Sequence, residues 1–244
     1  MSEIDYNARR VKTTKPGLGS FLNLDEPRRV SKSPKEEPKY SIGLELEPDS
    51  EDLKAIRAKI MSQAIAFANS SDGAEFASVA GKTAESIAAA IRSGAIKTPI
   101  EDGTKIADRE VAKNEAGRKP TRLREWSRGL KVVTARTQKP PAIAIIANGA
   151  IVQLDDASQV KQHNSKYFFT GAKIYVELDI VPYNPVGDGG KPGVTAYLAS
   201  VLSTGKGEKL IAGGANLAET FKGYVGLETD EDPRGEEAAA DTNW

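Results

Sequence analysis

The stretch KIYVELDIV, residues 173–181, decides the fold. Ile174, Val176, Leu178 and Ile180 fall on one side of an extended chain, and Lys173, Tyr175, Glu177 and Asp179 on the other. Strict alternation is the pattern of a strand with one face on a core and one on solvent. Working outward, the Gly/Pro-rich loop NPVGDGGKPG (184–193) leads into VTAYLASVL (194–202), whose β-branched content and flanking glycines predict a second strand. On the other side, AIAIIA (142–147) is apolar at every position and predicts a central, buried strand. KVVTART (131–137) is a strand candidate set off by Pro140 and Pro141, and IVQL (151–154) a short one before the turn at Asp155 and Asp156. Near the N-terminus, Tyr40, Ile42, Leu44 and Leu46 alternate with Ser41, Gly43 and Glu45, predicting a half-buried strand that Pro48 ends. Val11–Thr14 and Ser20–Leu24 read as shorter extended pieces.

Between the early strand and the later ones the period changes. Asp49 or Ser50 caps a helix in which Leu53, Ile56, Ile60, Ala64 and Phe67 form one apolar face. A second helix is expected over residues 74–92, with Phe76, Val79, Thr83, Ile87 and Ile91 on its face and Gly94 at its end; Gly81 weakens it. KTPIEDG (97–103) reads as a turn-rich connection, and residues 104–122 as charged and without a clear period. The expected organisation is a flexible N-terminus (1–10), a mainly β domain (11–227) with a helical insertion at 50–93, and a tail (228–244).

Composition narrows the function classes. The chain has no cysteine, which excludes a thiol nucleophile and thiolate metal sites. No secretory h-region and no apolar run long enough to span a membrane occur, so a cytoplasmic protein without membrane contact is expected. HExxH, GxxxxGK[ST] and GxSxG are absent, and the single histidine, His163, sits in a polar stretch and is expected to be exposed. No catalytic residue, metal site or cofactor is expected. Asp155, Asp156 and Asp179 are the carboxylates that a Mg²⁺-dependent nuclease could use, although paired aspartates on a turn are commonly plain turn residues.

Charge is distributed unevenly. ETDEDPRGEEAAADTNW (228–244) carries seven carboxylates against Arg234 and runs out on Trp244. It holds too little apolar surface to offset its ordering entropy, so a mobile segment is expected. The chain has 34 basic and 34 acidic residues; setting that segment aside leaves 33 basic and 27 acidic, a net of +6. A basic body tethered to an acidic tail suggests a tail that competes with a polyanion for one surface.

The densest basic run, Lys105–Lys139, holds eleven cations against four acids, with Trp126 inside TRLREWSRGLK. Cations interleaved with an aromatic suit a single strand of nucleic acid, whose phosphates need neutralising and whose unpaired bases stack. A solvated charged loop with Trp126 in the core is the plainer alternative. The candidate contacts are Arg122, Arg124, Trp126, Arg128, Lys131 and Arg136, with Lys173 and Tyr175 on the polar face of the 173–181 strand. Tyr183 is a weaker stacking candidate. At least one ring of Tyr167, Phe168 and Phe169 is expected in the core.

The order of motifs resembles a phage single-stranded DNA-binding protein family with an OB-fold. The resemblance rests on FFTG (168–171), KIYVELDIVPYN, a glycine-rich loop, GVTAYLASVL, GEKLIAGG and Phe221. SFLNLDEP, KYSIGLELEP, the Ala-rich helix and PIEDG match more loosely, so most of residues 11–226 are covered. It implies an OB-fold, a five-stranded Greek-key barrel, here with a helical insertion after an early strand and a disordered acidic tail. It also implies a homodimer that coats unwound single-stranded DNA in phage replication, recombination or repair, in the host cytoplasm. Asp230, Glu231, Asp232, Glu236, Glu237, Asp241 and Trp244 would dock replication and recombination proteins. Double-stranded DNA stays open as a second ligand. The rival readings are the nuclease and an adaptor acting through its acidic tail alone.

Overall fold

The computed structural model describes residues 6–29, 37–115, 124–185 and 190–210. Along them run α1 (Tyr6–Arg9), β1 (Arg10–Lys12), β2 (Gly17–Arg28), β3 (Lys39–Leu46), α2 (Glu51–Ala68), α3 (Ala74–Ala80), α4 (Ala84–Ser93), β4 (Ile100–Asp102), α5 (Gly103–Glu115), β5 (Lys131–Thr137), β6 (Ala142–Ala147), β7 (Ala150–Leu154), α6 (Ala157–Tyr167), β8 (Ala172–Tyr183) and β9 (Gly193–Gly207). The fold is mainly β with a helical insertion after an early strand. Where a five-stranded Greek-key barrel was expected, the described residues form one mixed sheet of nine strands.

The alternation in β8 buries Ile174, Val176, Leu178 and Ile180 and leaves Lys173 exposed. β8 pairs antiparallel with β9 over almost its whole length and with β2 and β1 on its other edge. From β2 the ladder passes to β3, β5 and β4, each neighbour antiparallel. The circuit then closes. Lys97, three residues before β4, bridges to Gly193 at the start of β9, and the Val194 N–H donates to the Lys97 carbonyl at 2.8 Å. The stretch KTPIED, expected to be a turn-rich connection, is therefore a strap from the β4 edge of the sheet to the start of β9. Its backbone donors and acceptors serve the ladder, a role that hydropathy does not signal. β6 pairs on both sides, parallel to β9 and antiparallel to β7. It buries Ile143 and Ile145 on one face and half-buries the other, so it lies inside the sheet as expected.

The helical insertion follows its apolar period. Ser50 caps α2, its hydroxyl accepting from the Leu53 N–H, and Leu53, Ile56, Ile60 and Ala64 are buried. Asp52, an acid in the first turn, is also buried. Its carboxylate accepts from the backbone N–H groups of Thr14 and Lys15 at 2.7 and 3.0 Å, tying the chain after β1 to the helix. The expected second helix is two helices. Gly81, with φ +72°, takes a conformation that disfavours side chains, and Thr83 starts α4 afresh with a capping box. The break leaves Val79 exposed instead of on an apolar face. Phe76 is fully buried, its ring meeting Phe67 edge-on at 5.6 Å between centroids. Tyr167 and Phe168 are both in the core. His163 is half-buried instead of exposed, its ring edge-on to Tyr167 at 5.7 Å. No helix among the described residues is long and apolar enough to cross a membrane.

Candidate nucleic-acid interface

The face of the sheet turned away from the core carries three rows across β2, β3 and β5. Leu18, Glu45 and Val132 form the first; Ser20, Gly43 and Thr134 the second; Asn23, Ser41 and Arg136 the third. Side chains in the middle row are small, so the floor there is shallow. The first row ends on β8 at Lys173, opposite Leu18.

One irregularity gives this face its aromatic. Phe21 has φ +50°, and the β2–β3 register shifts between Ser20 and Asn23. It is the extra residue of a β-bulge. Before it Gly17 and Gly19 abut core side chains; after it Leu22 and Leu24 are buried. The bulge thus inverts the phase of β2 and puts two leucines into the core. The Phe21 N–H, taken out of the ladder, donates to the Thr170 hydroxyl at 3.2 Å, and the residue is 38% exposed.

The second irregularity is a lid over the first row. Glu45, read from its alternation as the polar side of a half-buried strand, is buried and ionisable. The segment 124–127 covers it. Its Oε1 accepts from the Arg124 guanidinium at 2.8 Å and the Trp126 indole N–H at 3.2 Å, and its Oε2 from the Ser127 hydroxyl at 2.9 Å. Three donors on one carboxylate offset the desolvation that an isolated charge would suffer. Arg124 also donates to Ser20 at 3.1 Å, and its guanidinium carbon lies 4.7 Å from the centre of the Phe21 ring. Phe21, Asn23, Ser41, Gly43, Thr134 and Arg136 line a cleft of about 350 Å³ that Arg28, Arg29 and Arg124 border. Arg28 is ion-paired with Glu26 at 3.3 Å. Arg136 forms no ion pair among the described residues, and its Nε is buried without a partner.

The candidate residues are therefore divided. Arg124 and Arg136 stand in the cleft. Trp126 is half-buried with its N–H on Glu45. Arg128 pairs with Asp108 at 2.7 Å and with Glu125; these two hydrogen bonds raise its pKa above the ordinary arginine value. Lys131 pairs with Asp102, on the side of β5 opposite Val132 and Arg136. Its ammonium holds the Asp102 carboxyl below the usual aspartate range. Lys173 ends the first row, and Tyr175 is the next outward residue along β8, facing Leu202 of β9. Arg122 and the acidic segment from Asp230 to Trp244 lie outside the described residues. The carboxylates considered for metal chemistry have other partners or stand apart. Asp179 pairs with Arg10 at 2.9 Å, and Asp156 caps α6, accepting from the Gln159 N–H. Asp155 is exposed. Among the described residues no group of three His, Asp or Glu side chains converges as a metal site would need.

Reading the sequence missed Phe21, Arg28 and Arg29. The available signal was SFLNLD itself, where an aromatic interrupts the run between Ser20 and two leucines that must both be buried.

The fold is shared with the single-stranded DNA-binding protein from bacteriophage Enc34. Its C-terminally truncated form aligns with a TM-score of 0.52 at 17% identity, covering 86% of this chain and 95% of that one. A second structure of that protein gives a TM-score of 0.52 at 18% identity, over 91% and 97% of the two chains. The same protein in complex with ssDNA gives 0.50 at 20% identity, over 86% and 97%. No protein-family model and no curated protein matches the sequence. At these identities the likeness establishes a common fold.

Proposed function

We propose that this chain is a non-catalytic single-stranded DNA-binding protein, a member of the phage family that its motif order resembles. The observation that carries the proposal is the cleft across β2, β3 and β5. An exposed aromatic, Phe21, stands there beside Arg28, Arg29, Arg124 and Arg136 over a floor of small side chains. A single strand needs cations along its phosphates and an apolar ring for its bases, with no demand for sequence. The shared fold with a protein solved in complex with ssDNA supports the same reading. Lys173 and Tyr175 extend the outward surface along β8 beyond the first row. Arg128 and Lys131, each paired with a carboxylate, contribute less net charge to a phosphate than Arg136 does. The proposed biological role is coating unwound DNA in phage replication, recombination or repair, as a homodimer. The acidic segment 228–244 would compete with DNA and dock replication proteins.

The test is anisotropy of a labelled oligothymidine titrated with protein at low and high salt. Binding at low salt that weakens steeply with salt is the expected result. No binding at low salt overturns the proposal. Nicking or degradation of the oligonucleotide in Mg²⁺ would favour the nuclease reading instead.

A further inference from the structure

A groove of about 620 Å³ opens on the helical side of the sheet, where α2 and α4 meet β4. Arg57, Ile60 and Met61 of α2 line it, with Ala88, Ile91 and Arg92 of α4. Each set is spaced at three and four residues and so shares one helix face. Ile100 and the Asp102–Lys131 pair close the groove at β4. They pair along β5 with Val133 and Lys131, on the side of that strand opposite Val132 and Arg136. We propose that this groove docks an acidic, amphipathic segment of another protein, whose apolar side chains enter the floor and whose carboxylates meet Arg57 and Arg92. The inference stands apart from the single-strand reading, because groove and cleft lie on opposite sides of β5.

Three observations support it. The first is a floor that is apolar and reaches the surface. Ile60 is buried, while Met61, Ile91 and Ile100 pack against the core and remain partly uncovered. Methionine re-packs readily around a partner's side chains. No aromatic residue lines the groove, so it offers a nucleic-acid base no ring to stack on. The second observation is charge. Both carboxylates of the groove are already held, Glu101 by Arg109 at 2.7 Å and Asp102 by Lys131. Arg57 and Arg92 are exposed and form no ion pair among the described residues; Arg57 reaches only the Pro48 carbonyl, at 3.5 Å. Two uncompensated guanidinium groups thus flank the floor. A neutral apolar segment would strip water from them and supply no acceptor, whereas a carboxylate supplies one that is charged. The third observation is position. With β5 between groove and cleft, a partner can dock on a chain whose cleft is already filled.

The test uses the full chain and a fluorescein-labelled peptide of about fourteen residues, with leucine at every third or fourth position and glutamate between. Anisotropy should show saturable binding that is lost when serine replaces each leucine or lysine each glutamate. Arg57→Gln and Arg92→Gln, both exposed changes that spare the packing, should each weaken the acidic peptide about threefold and together about tenfold. Ala88→Glu, which sets a carboxylate in the floor, should weaken it as well. The charge-reversed chain, with Arg57→Glu and Arg92→Glu, should bind the lysine peptide in preference to the acidic one. Saturating oligothymidine should leave the peptide's affinity within about twofold, since the two sites are separate. No binding of the acidic peptide by the parent chain, or equal binding by the parent and the doubly neutralised chain, overturns the proposal. Displacement of the peptide by oligothymidine does so too, because it places the peptide in the cleft. A parent whose mass by light scattering is a dimer's, and falls to a monomer's in the doubly neutralised chain, would give the groove to a second copy and equally overturn it.

Discussion

The guanidinium of Arg124 lies 4.7 Å from the centre of the Phe21 ring while the same group holds Glu45 at 2.8 Å. A buried carboxylate thus positions a cation, and the cation covers part of an exposed aromatic ring. A base stacking on what remains exposed would meet a ring held on a rigid support. Phe21→Ala should therefore weaken single-strand affinity by about 1–3 kcal/mol, the range for losing one base-stacking partner. Its thermal midpoint should barely change, because the side chain is exposed. Anisotropy titrations paired with a melting curve check both halves.

The backbone at Phe21 makes a separate prediction. A φ of +50° is strained for a side chain and most strained for a β-branched one. Phe21→Gly should lose DNA affinity like the alanine variant but keep or raise stability. Phe21→Val should unfold at lower urea, by about 1–2 kcal/mol relative to glycine. Equal midpoints for the two variants would contradict a bulge held in the left-handed region.

Removing the carboxylate under the lid should be severe. Glu45→Ala leaves the Arg124, Trp126 and Ser127 donors without their acceptor in a buried site, a loss of about 3–5 kcal/mol for one partner of a buried ion pair. Glu45→Gln keeps one acceptor oxygen and should fall between the alanine variant and the parent. Urea unfolding of the three proteins ranks them.

Asp102 supplies a pH dependence. The hydrogen bond from the Lys131 ammonium holds its carboxyl below the ordinary value. A carboxylate with a lowered folded pKa contributes stability that is complete above its unfolded value, near 3.9, and is lost as pH falls through the folded one. Stability should therefore decline on acidification below about pH 4. Asp102→Asn should flatten that part of the decline. Denaturant midpoints measured across the acid range would show an unchanged slope if the pair contributes nothing.

Deleting residues 228–244 should tighten single-strand binding, most at low salt, because the segment's seven carboxylates no longer compete for the cations of the body. Added sodium chloride should narrow the difference between the full and truncated chains. Unchanged or weaker binding by the truncated chain would remove the self-competition mechanism.

The strands that could be read from sequence are those whose side chains alternate against one core. β8 shows its period plainly, and β5 and β6 begin and end where the apolar runs do. Elements held by the backbone escaped notice. β4 is three residues long, all half-buried, and its part in closing the circuit comes from ladder bonds and the Lys97 bridge. α5 and α6 were missed because polar residues dominate both helices, leaving a faint apolar stripe. The interface was partly visible. The basic run holds Arg124 and Arg136, but composition could not separate them from Arg109, Arg128 and Lys131, whose carboxylate partners come from other segments. Glu45 misled because alternation says which side a residue is on, not whether a distant segment covers that side. Phe21 was hidden by the bulge, since a phase change cannot be seen in a pattern that assumes a constant period.

The strap at Lys97 has a consequence for how the chain is made. Its partner, Gly193, emerges from the ribosome long after the helices α2–α4 and the strap itself are complete. Until β9 arrives, the nascent chain holds β4, β5, β3, β2 and β8 with both edges open, and the β6–β7 hairpin has no strand to join. Contacts so far apart in sequence close slowly, and an open edge invites pairing between neighbouring chains. Folding of this protein should therefore finish in one late step, when the last strand arrives and locks a ring whose first half has waited for it.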